Sequence, residues 1–210
     1  MILVFMGSLQ ASMAQNTIAS IRKAYQEQKE IIAQMSDEFP GEGAPPVYYH
    51  LHVAQNLPGT GPHHENVRMY YGDLPSEEEG DPFPPHYLSF VSSKYNFAAR
   101  EYYEEYLYDN KGQVMFIYVR TPSEDLSKFY DFRLYFDFRL YFDGQRLLRL
   151  NVKASEDFVS ANKNLDPASF KDVYTGTTIP EQYASYCSQY TAWARHYLDL
   201  FKSIDDHTHL

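Results

Sequence analysis

Residues 98–120 read AAREYYEEYLYDNKGQVMFIYVR, and residues 129–153 read FYDFRLYFDFRLYFDGQRLLRLNVK. Each stretch is a pair of runs rich in Tyr, Phe, Val and Leu around a short polar turn. The turn is Asp109-Asn110-Lys111-Gly112 in the first and Asp143-Gly144 in the second. Aromatic and β-branched side chains suit a pleated surface, and a glycine in the turn supplies the left-handed backbone that a tight hairpin needs. The expectation is two hairpins, Ala98–Tyr108 with Gln113–Arg120 and Phe129–Phe142 with Arg146–Lys153. Successive hairpins joined by short turns build an antiparallel meander, because parallel strands require crossovers of a dozen residues or more.

Upstream, Val47–Ala54, Asn66–Gly72 and Tyr87–Ser93 read as three further strands, separated by the turn-rich Leu57–Pro62 and the Pro/Glu-rich loop Pro75–Pro85. Thr17–Ser36 reads as a helix capped by Asn16 or Thr17, with Ile18, Ile21, Tyr25, Ile32 and Met35 on one face and Arg22, Lys23, Glu27, Lys29 and Glu30 mostly elsewhere. Glu156–Asn162 and Pro167–Val173 read as short helices. Ile179–Ile204 reads as a long one, with Pro180 in its first turn and Tyr183, Tyr186, Cys187, Tyr190, Trp193, Tyr197, Leu200 and Ile204 at helical spacing. The expected fold is α+β: an antiparallel meander sheet of about six or seven strands, the C-terminal helix packed on one face and the N-terminal helix over an edge or end.

One strand carries a repeat. Residues 132–137 are FRLYFD and residues 138–143 are FRLYFD again. Six is even, so the copy keeps every side chain on its own face: Tyr130, Phe132, Leu134, Phe136, Phe138, Leu140 and Phe142 on one, Asp131, Arg133, Tyr135, Asp137, Arg139, Tyr141 and Asp143 on the other. A fourteen-residue strand would reach ~48 Å at about 3.4 Å per residue. That exceeds what a domain with a radius of gyration of roughly 16 Å accommodates. The strands on either side are expected to hold eight residues each. A tandem hexapeptide duplication explains the mismatch, and it predicts that six residues bulge out, overhang the sheet or force a register shift upstream.

Met1–Leu9 is an uncharged, mostly apolar run, and Ser12 and Ala14 form a small-x-small pattern of the kind a signal peptidase reads. Residues 1–14 are therefore expected to be a signal peptide and 15–210 a single α+β domain. The apolar run is far below the ~20 residues that span a bilayer, and no Lys or Arg precedes it. Cys187 is the only cysteine, so no intrachain disulfide can form. That is compatible with an oxidising compartment at a size where staples are not required. The net charge of -10, with eighteen scattered Lys and Arg, argues against nucleic acid and against anionic membrane surfaces as partners. The twenty Tyr and fourteen Phe are read either as a β-rich core with hydroxyls at its rim or as a carbohydrate-binding face.

The chain holds few chemical motifs. His50 and His52 are two apart on one strand, and His63, His64 and Glu65 follow. Four imidazoles could hold a zinc ion with an open position; scattered surface histidines are the plainer reading. His64-Glu65-Asn66-Val67-Arg68 misses the zinc-protease pattern because Arg68 stands where the second histidine belongs. Gly59-Thr60-Gly61 precedes no helix and reads as a turn rather than a phosphate cradle. Glu101, Glu104 and Glu105 share a strand; solvated charge is the plainer reading, and a glycosidase pair needs a spatial separation that sequence does not show. No nucleophile motif occurs, so no catalytic residue, cofactor or metal is assigned.

The helix IRKAYQEQKEIIAQM, the segment LPGTGPHHENVRMYY and the hairpin EEYLYDNKGQVMFIYV resemble small uncharacterised exported proteins of Bacteroidota bacteria, over the region 15–153. The resemblance implies the periplasm or outer surface of a Gram-negative cell and no activity. The leading expectation is an exported, non-catalytic binding or interaction protein whose ligand is a glycan, a peptide or another envelope protein. The alternative is a metal-assisted hydrolase using His50, His52, His63 and His64.

Overall fold

The computed structural model describes residues 16–34, 48–76, 81, 84–98, 100–122, 135–154 and 174–208. A helix α1 (Ile18–Ala33) precedes the strands β1 (Tyr48–Leu57), β2 (Gly61–Asp73), β3 (His86–Phe97), β4 (Arg100–Tyr108), β5 (Val114–Pro122), β6 (Tyr135–Asp143), β7 (Arg146–Ala154) and β8 (Tyr174–Gly176). A 28-residue helix α2 (Glu181–Thr208) follows. The strands form one antiparallel sheet in sequence order, so the expected α+β meander is present. Among the described residues it holds eight strands, where six or seven were expected. The extra one, β8, is three residues long and pairs with Leu150–Val152; so short a run carries no periodicity to read. The expected helices Glu156–Asn162 and Pro167–Val173 lie outside the described residues, as does the proposed signal peptide.

Both turns noted in the sequence close hairpins, with Gly112 at φ 76° and Gly144 at φ 59°. Both angles lie in the region that a side chain disfavours. Of the fourteen-residue strand expected over Phe129–Phe142, the described ladder runs from Tyr135 to Asp143. Its nine residues match the nine of β5 and the nine of β7. Positions 129–134 lie outside the described residues.

The two helices cover opposite faces. α2 packs on a core that includes Met69, Val91, Tyr106, Ile117, Leu140 and Leu150, all at most 0 % exposed. Those six are one continuous row across six strands by register. α2 crosses the strands: Tyr183 packs on Phe138 of β6 and Tyr174 of β8, while Phe201 packs on Tyr49 of β1 and Tyr71 of β2. Eighteen helical residues advance about 27 Å, close to the roughly 24 Å spanned by six strands. The buried stripe of α2 is Tyr183, Cys187, Tyr190, Ala194, Tyr197 and Phe201. Trp193, expected on that stripe, is 37 % exposed, and small Ala194 takes the buried place beside it.

α1 was expected over an edge or end of the sheet. Instead it lies on the face opposite α2, where Ile21 is fully buried against Tyr70, Phe90, Leu107, Phe116 and Tyr141. Thr17 and Ser20 form a capping box at its start, and Asn16 N–H donates to Asp143 Oδ1 at 3.1 Å. The two contacts together satisfy amides that a helix start leaves open.

Candidate functional site

The strand register explains why α1 leaves a site beside it. On its face of the sheet, Tyr48, Tyr70, Phe90, Leu107, Phe116 and Tyr141 stand in one cross-strand row. This row is the apolar seat of α1. The next row is His50, Arg68, Ser92, Glu105, Tyr118, Arg139 and Asn151, and the one beyond it is His52, Asn66, Lys94, Tyr103, Arg120, Asp137 and Lys153. These two rows are polar, and the helix stands over the first row only. The step between helix and polar floor is a cleft of about 610 Å³, lined by Ile21, Arg22, Tyr25, Gln26 and Lys29 of α1 and by floor residues of β4 to β7. That volume falls within the range of small-molecule sites.

Lys29 and Glu105 join the two walls. Glu105 is 1 % exposed. Its carboxylate accepts from Lys29 Nζ at 2.5 Å, Tyr25 Oη at 2.5 Å and Tyr103 Oη at 2.5 Å. A buried carboxylate is tolerated only when paired and hydrogen-bonded, and these donors do both. Burial first, then the charge of Glu105, pushes the Tyr25 and Tyr103 hydroxyls far above the usual phenol range, so both remain donors at any physiological pH.

The two arginines of the cleft lie over aromatic rings. The Arg139 guanidinium lies 5.5 Å from the ring centre of Tyr118 and 3.6 Å from Asp137, and Arg22 lies 5.7 Å from the ring centre of Tyr141. Stacking of this kind restricts a long side chain; Arg22 Nε also donates to Tyr141 Oη at 3.5 Å. Arg22, Lys29, Arg139 and Lys153 line the cleft. Against Glu105 and Asp137 they leave two positive charges in excess, on a chain whose net charge is -10. Asn151 is 8 % exposed on the floor, and its Oδ1 accepts no hydrogen bond from the described residues.

The four histidines do not converge. His50, His52 and His64 lie on the α1 side of the sheet and His63 on the α2 side, because 63 and 64 alternate across the pleat. His50 bonds Asn66, His52 stacks on His64 with ring centres 6.1 Å apart, and His63 Nδ1 donates to the Asn96 carbonyl. Among the described residues no group of three His, Cys, Asp or Glu side chains is placed to hold a metal ion. Cys187 is 1 % exposed, and burial raises its thiol to about 11, which makes it a poor nucleophile at neutral pH.

Two of the three glutamates on β4 depart from the solvated reading. Glu101 is exposed, but Glu104 and Glu105 are buried on opposite faces. Glu104 stands among the core residues under α2, accepting from Tyr95 at 2.9 Å and from Tyr106. Burial raises its carboxyl above the usual range, opposed by those two hydrogen bonds. The reading of α1 also assigned Arg22 and Lys29 mostly away from the apolar face. Both line the cleft because that face is only as wide as one row of the sheet, and its flank overlooks the polar floor. The register that assembles this floor depends on pairing between distant segments, and no local pattern in the chain reports it.

Comparison with protein-family models, with curated proteins and with solved structures finds no match to this chain.

Proposed function

We propose that this chain is an exported, non-catalytic binding protein that takes its ligand into the cleft beside α1. The observation carrying the proposal is the polar, positively charged floor of two ladder rows left open next to the helix. An outer sheet face with no binding role has no need of a recessed cavity with ring-stacked arginines and an amide whose hydrogen-bonding capacity the protein leaves partly unused. The donors in the cleft hold and orient; none is coupled to a nucleophile, which supports binding over turnover. No helix among the described residues is long and apolar enough to cross a membrane.

Two measurements test this reading. The first is a thermal-shift screen of residues 15–210 against glycans and peptides. It should return ligands whose effect is lost in Arg139→Gln while the variant keeps its circular dichroism spectrum. Ligands indifferent to every cleft substitution, or chemically converted by the protein, would overturn it. The second concerns export. Mass spectrometry of the full chain expressed in a Gram-negative host should find a mature N-terminus near Gln15, and a protein retaining Met1 would refute the signal-peptide reading.

A further inference from the structure

We infer that the cleft selects an acidic saccharide, a ligand carrying both a carboxylate and several hydroxyls. This rests on the binding reading above and narrows it.

The charge comes first. Arg22, Lys29, Arg139 and Lys153 all line the cavity; Lys29 is held by Glu105, Arg139 lies 3.6 Å from Asp137, and Arg22 Nε donates to Tyr141 Oη at 3.5 Å. Guanidinium groups present paired N–H donors that match a carboxylate edge, and here two of them are already oriented over Tyr141 and Tyr118. Orienting these side chains before the ligand arrives lowers the entropy lost on binding.

The uncharged groups point the same way. A sugar hydroxyl both donates and accepts, so it is matched by side chains that do both. The amides of Asn151 and Gln26 line the cavity beside the arginines. Asn151 is buried on the floor, and no described residue donates to its Oδ1. An acceptor in that state is costly, and a hydroxyl is the donor a saccharide would supply. Inorganic phosphate offers only its P–OH on a single small group, not an array of hydroxyls. A peptide is less well suited, because peptides are taken at sheet edges or in apolar grooves, while this floor is polar and its one apolar row lies beneath α1. About 610 Å³ accommodates one or two pyranose rings.

The test uses residues 15–210 labelled with nitrogen-15 and follows the side-chain amide signal of Asn151, assigned by its loss in Asn151→Asp. The probes are digalacturonate, the neutral digalactoside, inorganic phosphate and tetraglutamate. Digalacturonate should shift the Asn151 signal saturably, and Arg139→Gln should weaken that binding by about tenfold or more, the scale of one charge-assisted hydrogen bond. Lys153→Gln gives a second variant in which the same loss is expected if Arg139→Gln does not fold. The digalactoside should leave the signal in place.

Equal response to the neutral sugar would overturn the role of charge. Phosphate binding as tightly as digalacturonate would overturn the role of the hydroxyls. Tetraglutamate binding without digalacturonate would overturn the saccharide class. In each of those three cases the cleft remains a binding site and the reading in the previous section stands. If none of the four probes moves Asn151, the acidic-saccharide proposal falls, and the cleft reading is decided separately by the thermal-shift screen.

Discussion

Glu105 and Glu104 are neighbours in the chain and opposites in the fold. The pleat sends one toward α1 and the other toward α2. Glu105 has a cation, Lys29, whose side chain is 36 % exposed. Removing that cation in Lys29→Met leaves a buried carboxylate held by two phenols. A fully buried pair broken in this way costs several kcal/mol; with a third of the lysine in solvent, about 1–3 kcal/mol is expected, read from urea denaturation at neutral pH. Lys29→Met combined with Glu105→Gln should recover most of that loss, since no uncompensated charge remains. Glu104 has no cation among its bonded partners. Because its folded carboxyl is raised by burial, the native state holds the proton more tightly than the unfolded chain does. Its contribution is therefore full below the unfolded value of about 4.3 and declines as pH rises toward the folded value. Glu104→Gln should abolish that component. The difference in denaturation midpoint between Glu104→Gln and wild type should shift in favour of the variant between pH 4 and pH 8, and a difference independent of pH would contradict the assignment.

β6 draws on both copies of the FRLYFD repeat. The ladder from Tyr135 to Asp143 takes its first three residues from one FRLYFD copy and its last six from the other. If residues 132–137 are deleted, Asp131 replaces Asp137, Tyr130 replaces Phe136 and Phe129 replaces Tyr135, while Arg139 and Tyr141 of the cleft are untouched. Six residues preserve the pleat, so each replacement falls on the same face; only Tyr130 in place of buried Phe136 brings a hydroxyl toward the core. The deletion should therefore fold with the same circular dichroism spectrum, change stability by less than about 1 kcal/mol, as expected of volume-conserving swaps, and keep any cleft ligand. Loss of the fold would show that both copies are structural. The bulges behave oppositely. Ser89, Met115 and Leu148 are single extra residues opposite the Tyr70/Tyr71, Leu107/Tyr108 and Tyr141/Phe142 steps. A bulge adds a local bend and resets the pairing that follows it, so deleting any one of them would turn a strand's end inside out.

Across the molecule, α2 is the part that spans the sheet. Its Phe201, 2 % exposed, closes over Tyr49 and Tyr71, and Asp205 accepts from Tyr49 Oη at 2.7 Å and pairs with His86 at 2.9 Å. Phe201→Ala should cost about 3–5 kcal/mol, the range for truncating a buried aromatic. Hydrogen exchange should rise first in β1 and β2, the strands that Phe201 covers, ahead of β4 to β6. Uniform exchange across all strands would mean that α2 does not hold that end separately.

Much of this architecture was legible in the chain. Alternation of apolar and polar side chains is a local consequence of the pleat, so the two faces of β6 could be assigned from sequence, and Asp143-Gly144 marked its turn. The 3.6-residue spacing likewise marked α2, though not which neighbour of Trp193 would be buried. What the sequence by itself determined was therefore the set of elements and the two faces of each strand. Which face each helix covers, and which side chains line up across strands, was decided only in the tertiary structure. Those alignments depend on register, and register is set by hairpin closure and by bulges such as Ser89, Met115 and Leu148 that a linear pattern does not reveal. Glu105, Tyr118, Arg139 and Asn151 come from four strands and become one row only when all of those pairings are made together.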